Sequence, residues 1–276
     1  SVYAITAIPY SEAVRLWRAG PGVWDENPKN AGPVWLDLFT EGKTPRTIVV
    51  SSGDTGIINE EATGTGTKRV EIALPFQYDY DGFPKELKLY TLAKYAGSRE
   101  PATISWETPD GRTIIIREDY FLRPDDSYYI SQDADLRARL SGMTAHIGLF
   151  ADPNDVEKPL KGEYQLLLTT EVPETAEVST RLVAAGQLHG WAGTDHRARD
   201  LTVALLWGAP IGLMFGVLAA IGAQVSTFVL SAVGTWFGGK LDRLFQWLTQ
   251  VNLVIPVLPL LILVAHFYSR SIWTML

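Results

Sequence analysis

Residues 201–239 read LTVALLWGAPIGLMFGVLAAIGAQVSTFVLSAVGTWFGG and contain no ionisable side chain. As one helix this stretch would extend about 58 Å, roughly twice the ~30 Å hydrocarbon core of a bilayer. Because proline disfavours an unbroken helix, Pro210 predicts a short interfacial or re-entrant helix over 201–209 and a membrane-spanning helix over 210–233. The stretch therefore indicates an integral membrane protein.

Small residues recur every four positions within this stretch. They are Gly208, Gly212, Gly216 and Ala220. This spacing places them on one helix face, where small side chains permit the close approach of a second helix. We interpret the face as a helix-packing surface; the alternatives are local flexibility and chance composition. A packing surface needs a partner, so this helix is expected to belong to a bundle.

A second apolar run covers residues 247–268 and is interrupted by prolines and amides. Because amide groups are unfavourable against lipid, Gln250 and Asn252 are predicted to face another subunit or a wet pathway. The alternative is that they lie at the interfacial end of the span.

A polar turn is predicted between the two runs, formed by Gly238, Gly239, Lys240, Asp242 and Arg243. Cytosolic loops of membrane proteins carry an excess of Lys and Arg, so this turn is predicted on the cytosolic side. Residues before about 200 are then expected outside the cytoplasm.

Charge is distributed unevenly along the chain. Of its 31 acidic and 24 basic residues, all but Asp242, Lys240, Arg243 and Arg270 lie before residue 201. An acidic domain repels phosphate backbones, which argues against nucleic-acid binding. The chain has no cysteine, so disulfides, thiolate metal sites and thiol nucleophiles are excluded.

Short β-branched or aromatic segments separated by turns fill most of the region before the apolar stretch. Strands are predicted at 47–51, 68–75, 86–95, 102–107, 112–117, 145–150 and 163–170. The sequence Thr108-Pro109-Asp110-Gly111 predicts a hairpin, and helices are predicted over 11–18, 133–140 and 174–185. The fold class is therefore mixed, with a mainly β, sandwich-like domain followed by transmembrane helices. The predicted division is a Trp- and Pro-rich packing segment over 1–45, the β-rich domain over 46–188 and the membrane part over 189–276.

No pattern in the sequence predicts catalytic chemistry. The four histidines are scattered and lack the spacing of a zinc site, and Gly64-Thr65-Gly66-Thr67 lacks the lysine of a phosphate loop. We therefore expect no catalytic residues, no metal and no cofactor. Candidates for stacking on a ligand, or else for covering the sandwich core, are the tyrosines of acidic, turn-like stretches: Tyr78, Tyr80, Tyr128 and Tyr129.

One motif lies at the entrance to the membrane part. Gly193-Thr194-Asp195-His196-Arg197-Ala198-Arg199-Asp200, followed by the glycine-rich stretch and by Gly234-Thr235-Trp236-Phe237-Gly238-Gly239, resembles the inner-membrane permease subunits of ABC importers for dipeptides, oligopeptides and nickel. The usual pattern is G-T-D-x-x-G-R-D, and the motif residues carried over are Gly193, Thr194, Asp195, Arg199 and Asp200. Ala198 replaces the motif glycine, while Trp207 and Pro210 stand at positions usually held by Tyr and Arg. The resemblance covers residues 190–276.

The resemblance implies a multi-pass subunit of the cytoplasmic membrane that moves peptides or similar small solutes. Its expected partners are a second related permease, two ATPase subunits that hydrolyse ATP, an external solute-binding protein and membrane lipid. It also implies a first membrane helix before residue 1 and a cytosolic Glu-Ala-Ala loop beyond residue 276. The alternative is a membrane-anchored surface protein whose β-sandwich binds a ligand or a glycan.

Overall fold

The computed structural model describes residues 8–64, 66–94 and 100–267. These residues form two compact units. One is Ser11–Val203, and the other combines the described residues up to Tyr10 with those from Ala204 onward.

The first unit is rich in β-strands. Its helices are α1 (Tyr10–Arg18, which begins one residue before the unit), α2 (Ala134–Arg139) and α3 (Ala145–Gly148), with 3-10 turns at Pro21–Val23, Val34–Phe39 and Ile130–Gln132. Its strands are β1 (Ile48–Ser51), β2 (Ile57–Ala62), β3 (Thr67–Tyr78), β4 (Glu86–Lys94), β5 (Pro101–Glu107), β6 (Thr113–Phe121), β7 (Asp126–Tyr129), β8 (Ala151–Asp152), β9 (Asp155–Pro159), β10 (Gly162–Pro173) and β11 (Glu177–Ala185).

Two antiparallel sheets organise these strands. One has the order β1–β11–β4–β7 and the other β2–β3–β10–β5–β6, while β8 and β9 form a separate short hairpin. The longest ladder joins β3 to β10, which pair along their full length from Tyr78 with Gly162 to Thr67 with Pro173. Alternate residues of each strand point to one face, so one side of this ladder is mostly apolar and buried.

Side chains from both sheets belong to one buried cluster. Its centre is aromatic, with the Phe150 ring centroid 4.6 Å from that of Tyr78, 4.8 Å from that of Tyr164 and 5.3 Å from that of Trp106. The buried polar ends are satisfied, since Trp106 Nε1 donates to the Leu149 carbonyl oxygen at 3.1 Å. Burial raises the pKa of the Tyr78 hydroxyl well above its usual range.

Most of the predicted elements are confirmed. The strands near 47, 68, 86, 102, 112 and 163 are present, as are the helices at 11–18 and 133–140. The hairpin also forms, because Gly111 adopts a positive φ of 82° and its N–H donates to the Thr108 carbonyl oxygen at 2.9 Å.

Two predicted elements are wrong. Residues 145–150 are not a strand, because they contain α3. Ala145, its first residue, and Leu149, its C-cap residue, are four positions apart and both belong to the buried cluster. Residues 174–185 are not a helix: they contain β11, in which buried and exposed residues alternate from Glu177 to Leu182 and Val178, Leu182 and Ala184 belong to the buried cluster. Pairing of β11 with β1 and β4 outweighs the helix propensity of its alanines.

The second unit is helical in its described residues after 203. It comprises most of α4 (Leu201–Phe237), then α5 (Gly239–Val254) and α6 (Val257–Phe267). The predicted break at Pro210 is wrong, since α4 runs through it. A proline removes one helical hydrogen bond, and the long flanking helix tolerates that loss. The second apolar run is divided at Pro256 between α5 and α6.

Candidate functional site

The motif residues 193–200 form a closed turn directly before α4. The Asp195 N–H donates to the Arg199 carbonyl oxygen at 3.1 Å, and Thr194 and Asp200 pair as an isolated antiparallel bridge. The N–H of Leu201, the first residue of α4, donates to the Gly193 carbonyl oxygen at 3.0 Å. The start of the helix is thus held against the beginning of the motif.

An ion pair fills the centre of the turn. Asp195 Oδ2 accepts hydrogen bonds from Arg199 Nε at 2.8 Å and from Nη2 at 2.7 Å, and Asp195 Oδ1 accepts from the backbone N–H groups of Arg197 and Arg199 at 2.9 Å. The two side chains are only 15% and 18% exposed. Burial raises the pKa of Asp195, but these hydrogen bonds outweigh it and hold that pKa below its usual value. Asp195 is therefore ionised at neutral pH.

Arg199 also contacts the end of α1. Its guanidinium carbon lies 3.9 Å from the centroid of the Trp17 ring, and its Nη1 donates to the Trp17 carbonyl oxygen at 3.5 Å. A cation above an indole ring is a favourable contact. The same arginine therefore closes the motif and fixes α1 to it.

Thr194 and Gly193 fasten the motif to residues 28–32. The Thr194 hydroxyl donates to the Pro28 carbonyl oxygen at 2.5 Å and accepts from the Ala31 N–H at 2.9 Å. Gly193 has φ +76°, and a Cβ there would clash with the Ala31 carbonyl oxygen. Only glycine fits this backbone conformation and this close approach without strain.

Ala198 occupies the position where the resembled motif has glycine. It adopts φ +63°, the left-handed region that glycine favours, and is buried. Its N–H donates to the Asp195 carbonyl oxygen at 3.0 Å, and its carbonyl oxygen accepts from Asn27 Nδ2 at 3.1 Å. The turn therefore forms despite the substitution, with backbone strain at this residue.

Asp200 caps α4. Its Oδ1 accepts from the Thr202 N–H at 2.8 Å, and its Oδ2 lies 3.8 Å from His189 Nε2. A carboxylate at this position satisfies an otherwise free backbone donor and interacts favourably with the helix dipole.

The predicted packing face of α4 is open. Apart from the adjoining residues and backbone of α4 itself, no atom of the described chain lies within 4 Å of a Cβ built at Gly208, Gly212 or Gly216, and Ala220 is exposed. The face is available to a neighbour, which the described residues do not supply.

The predicted cytosolic turn is formed at Gly238, between α4 and α5. This residue has φ +59°, and Lys240, Asp242 and Arg243 lie in the first two turns of α5. A Cβ at Gly234 would lie 3.3 Å from Asp242 Oδ1 and 3.3 Å from a ring carbon of Phe245, so α4 and α5 approach closely at this bend.

The two predicted pathway amides lie in α5. Gln250 is exposed. The side chain of Asn252 lies outside the described part of the structure. The motif and these amides are separate features of the described chain, in different compact units.

A cavity of about 730 Å³ opens beside the motif, and the sequence analysis did not identify it. Two tryptophans and several basic residues line it: Trp17, Arg18, Trp24, Lys29, Lys88, Arg197 and Arg199, with Asp25 as the carboxylate. Among the described residues, no group of three or more His, Asp or Glu side chains is arranged to hold a metal ion.

Comparison with known proteins gives partial matches. No family model matches the chain. The chain is 30% identical over 86 residues to the peptidoglycan transport system permease protein YejE of Agrobacterium fabrum, covering 31% of this chain and 23% of that protein. It is 30% identical over 160 residues to the oligopeptide transport system permease protein OppC of Mycobacterium tuberculosis, covering 58% of this chain and 47% of that protein. The chain thus spans less than half the length of either relative.

The curated relatives are permease proteins of peptidoglycan, dipeptide and oligopeptide transport systems. A match of 160 residues is longer than residues 190–276, so similarity extends into the β-rich part, beyond the range that the motifs cover. Solved structures resemble the chain only weakly. A structure of the infectious bursal disease virus Gt strain has a TM-score of 0.27 at 16% identity, covering 54% of this chain and 35% of that one, which is too low to support an argument.

Proposed function

We propose that the chain is part of a permease subunit of an ABC importer that moves peptides or similar small solutes across the cytoplasmic membrane. ATP would be hydrolysed on partner chains, and the chain itself would not be an enzyme. The relatives named as ABC transporter, dipeptide and oligopeptide permease proteins support this role. The observation that carries the proposal is the motif turn at 193–200, whose polar groups are used to fix the start of an apolar helix.

The geometry of the motif supports a structural role and not a catalytic one. Asp195 and Arg199 satisfy each other, and the Thr194 hydroxyl both donates and accepts within the chain. Groups that are fully paired in this way hold a backbone shape and are not free to act on a substrate. We infer that the motif sets the direction in which the chain enters the membrane.

The helices are proposed to cross the membrane more than once. Among the described helices, α4 is long and apolar enough to span a bilayer, and its most apolar window is 0% buried. We propose that the face of Gly208, Gly212 and Gly216 packs against a membrane helix, of this subunit or of a second related permease. Gln250 and Asn252 would face a subunit interface or the solute path.

The proposed orientation rests on the cations of α5. Lys240 and Arg243 would lie on the cytosolic side, near the two ATPase subunits. The β-rich unit would lie outside the cytoplasm as an enlarged, sandwich-like domain that receives a solute-binding protein. The proposed domain limits remain 1–45, 46–188 and 189–276.

Affinity purification from native membranes tests the proposal. The chain, tagged and extracted in mild detergent as part of the full-length protein, is expected to copurify with an ATPase subunit and a second permease. Purification without an ATPase, together with binding of a glycan by the β-rich unit, would instead support the membrane-anchored surface protein.

The packing face is tested by Gly212→Leu. Its added side chain would prevent close helix approach, so assembly with the partner permease on a native gel is expected to be lost while the β-rich unit stays folded. Ala232→Leu is the control, because Ala232 is exposed and lies on the side of α4 opposite Gly212. Equal assembly of both variants would contradict the proposal that this face packs against another helix.

A further inference from the structure

The cavity beside the motif concentrates unpaired positive charge within an acidic unit. Lys88 and Arg199 have carboxylate partners in Glu86 and Asp195. Within the described ranges, Arg18, Lys29 and Arg197 have no carboxylate within 4.0 Å, and all three are exposed. The only carboxylate on the described cavity wall is that of Asp25. The site therefore favours an anion, although the unit as a whole repels one.

The chain places this cavity close to the start of α4. Arg197 and Arg199 precede Leu201, the first residue of α4, by four and two positions. Leu201 is itself hydrogen-bonded to Gly193, which keeps the whole motif near the helix start. If α4 spans the bilayer, its first residues lie at the level of the lipid headgroups. The unpaired cations then lie within reach of lipid phosphates.

Exposed aromatic and apolar side chains occur along the same segments. Trp191 is 70% exposed and Phe39 is 80% exposed, and Trp35 Nε1 donates to the Trp191 carbonyl oxygen at 3.0 Å. Trp191 is two residues before Gly193, so it too is close to the helix start. Tryptophan is favoured at the membrane interface, where its ring is partly in lipid and its N–H remains solvated.

We propose that this cavity binds the phosphate headgroup of an anionic phospholipid in the outer leaflet, with Arg18, Lys29 and Arg197 as its ligands. Trp17 and Trp24 form apolar walls against the glycerol and upper acyl carbons. An anionic lipid is favoured over a peptide carboxylate because the exposed Trp191 close to the helix start suits a bilayer surface. The inference depends on α4 spanning the membrane, as in the proposed function, but not on transport.

Lipid titration of the purified chain in detergent tests this inference. Dioctanoyl-phosphatidylglycerol is expected to bind saturably, with a change in tryptophan fluorescence, and more tightly than dioctanoyl-phosphatidylcholine. Each juxtamembrane cation contributes roughly a factor of five near an anionic surface, so Lys29→Gln combined with Arg197→Gln should weaken binding about 30-fold. Raising the salt concentration should weaken it further.

The matched control is Lys94→Gln combined with Arg123→Gln. It removes the same charges from exposed positions that do not line the cavity, and binding should stay within about twofold of the unchanged chain. Three results would each overturn the inference: equal binding by both double variants, no preference for phosphatidylglycerol, or tighter binding of inorganic phosphate or a triglutamate peptide than of the lipid.

Copurification with the ATPase separates this inference from the proposed function. A Lys29→Gln/Arg197→Gln chain is expected to retain its ATPase partner while losing the lipid. If only lipid binding is lost, the importer role is not contradicted. If the unchanged chain does not copurify with an ATPase, the importer role is contradicted, and lipid binding is then tested by the titration alone.

Discussion

The β-rich unit buries its large apolar residues, whereas helix α4 exposes them. In the β-rich unit, Leu74 and Leu166 of the same sheet and Leu89 of the other are fully buried within one cluster. On α4, Leu213 is 73% exposed and Phe228 is 74% exposed. The first region supplies its own core from distant parts of the chain. The second has apolar surface that the described residues do not cover.

The largest effect that would sharpen this contrast is expected for Trp106→Ala. It removes a buried indole and its hydrogen bond to Leu149, which should cost about 3–5 kcal/mol of unfolding free energy in the β-rich unit. Leu213→Ala on α4 should change that free energy by less than about 0.5 kcal/mol. Thermal unfolding in detergent, followed by near-UV circular dichroism, compares the two. Similar losses would mean that the two regions do not differ in this way.

Gly193→Ala is expected to have the next largest effect. The new Cβ would meet the Ala31 carbonyl oxygen and would also force an unfavourable positive φ, for a combined loss of about 2–4 kcal/mol. Gly111→Ala has a similar φ of +82° but open space around the Cβ, so it isolates backbone strain at about 1–2 kcal/mol. If the two variants lose equal stability by the same thermal measurement, close packing at Gly193 contributes nothing.

Asp195→Asn should destabilise the motif by about 2 kcal/mol, because Arg199 would remain partly buried without its counter-charge. The folded-state pKa of Asp195 lies below its ordinary value of 3.8, so its contribution is fully present above that value. The contribution is lost as the pH falls through the lower, folded-state pKa. Unfolding curves collected from pH 7 to strongly acidic pH should converge for the original chain and the Asn variant.

The control for this pH dependence is Asp155→Asn, which removes an exposed partner of Lys158. Exposed pairs contribute little to stability, so its curves should follow those of the original chain throughout. Curves of the Asp195 variant that stay separate at acidic pH would contradict ionisation of this carboxyl as the cause.

The smallest expected effect is a gain from Ala198→Gly. Relief of the positive φ exceeds the greater chain entropy of glycine by about 0.5 kcal/mol. Ala31→Gly, at a buried position without a positive φ, should instead lower stability. Both shifts are measurable by differential scanning fluorimetry, and a loss of stability in the Ala198 variant would show that its methyl packing outweighs the strain.

Sequence reasoning succeeded where the deciding interactions are local. Composition alone indicates the apolar helix, and alternation of Val70, Ile72 and Leu74 indicates β3. It failed where distant partners decide, and also at Pro210, where the local helix-breaking rule does not hold in a long helix. Residues 174–185 resemble a helix until β1 and β4 are present on either side of them.

The candidate site shows the same limit. The motif could be identified from its sequence, but its hydrogen-bond partners could not. The Asn27 amide, which donates to the Ala198 carbonyl oxygen, is 171 positions away, and the Trp17 carbonyl oxygen, which accepts from Arg199, is 182 positions away. No local pattern connects Lys29 and Arg197, so their meeting at one cavity required the fold. The roles of the α4 face and of the α5 amides remain predictions.

The contact between Trp17 and Arg199 has a consequence for how the molecule is organised. It brings together helix α1 and the turn before α4, the two ends of a segment of nearly two hundred residues that contains all the strands of the β-rich unit. A module whose ends meet can be lengthened, shortened or exchanged without changing the distance between whatever precedes and follows it. Joining Gly32 to Gly193 through a short glycine-serine bridge, which keeps α1 and the motif, should therefore leave the start of α4 held as before.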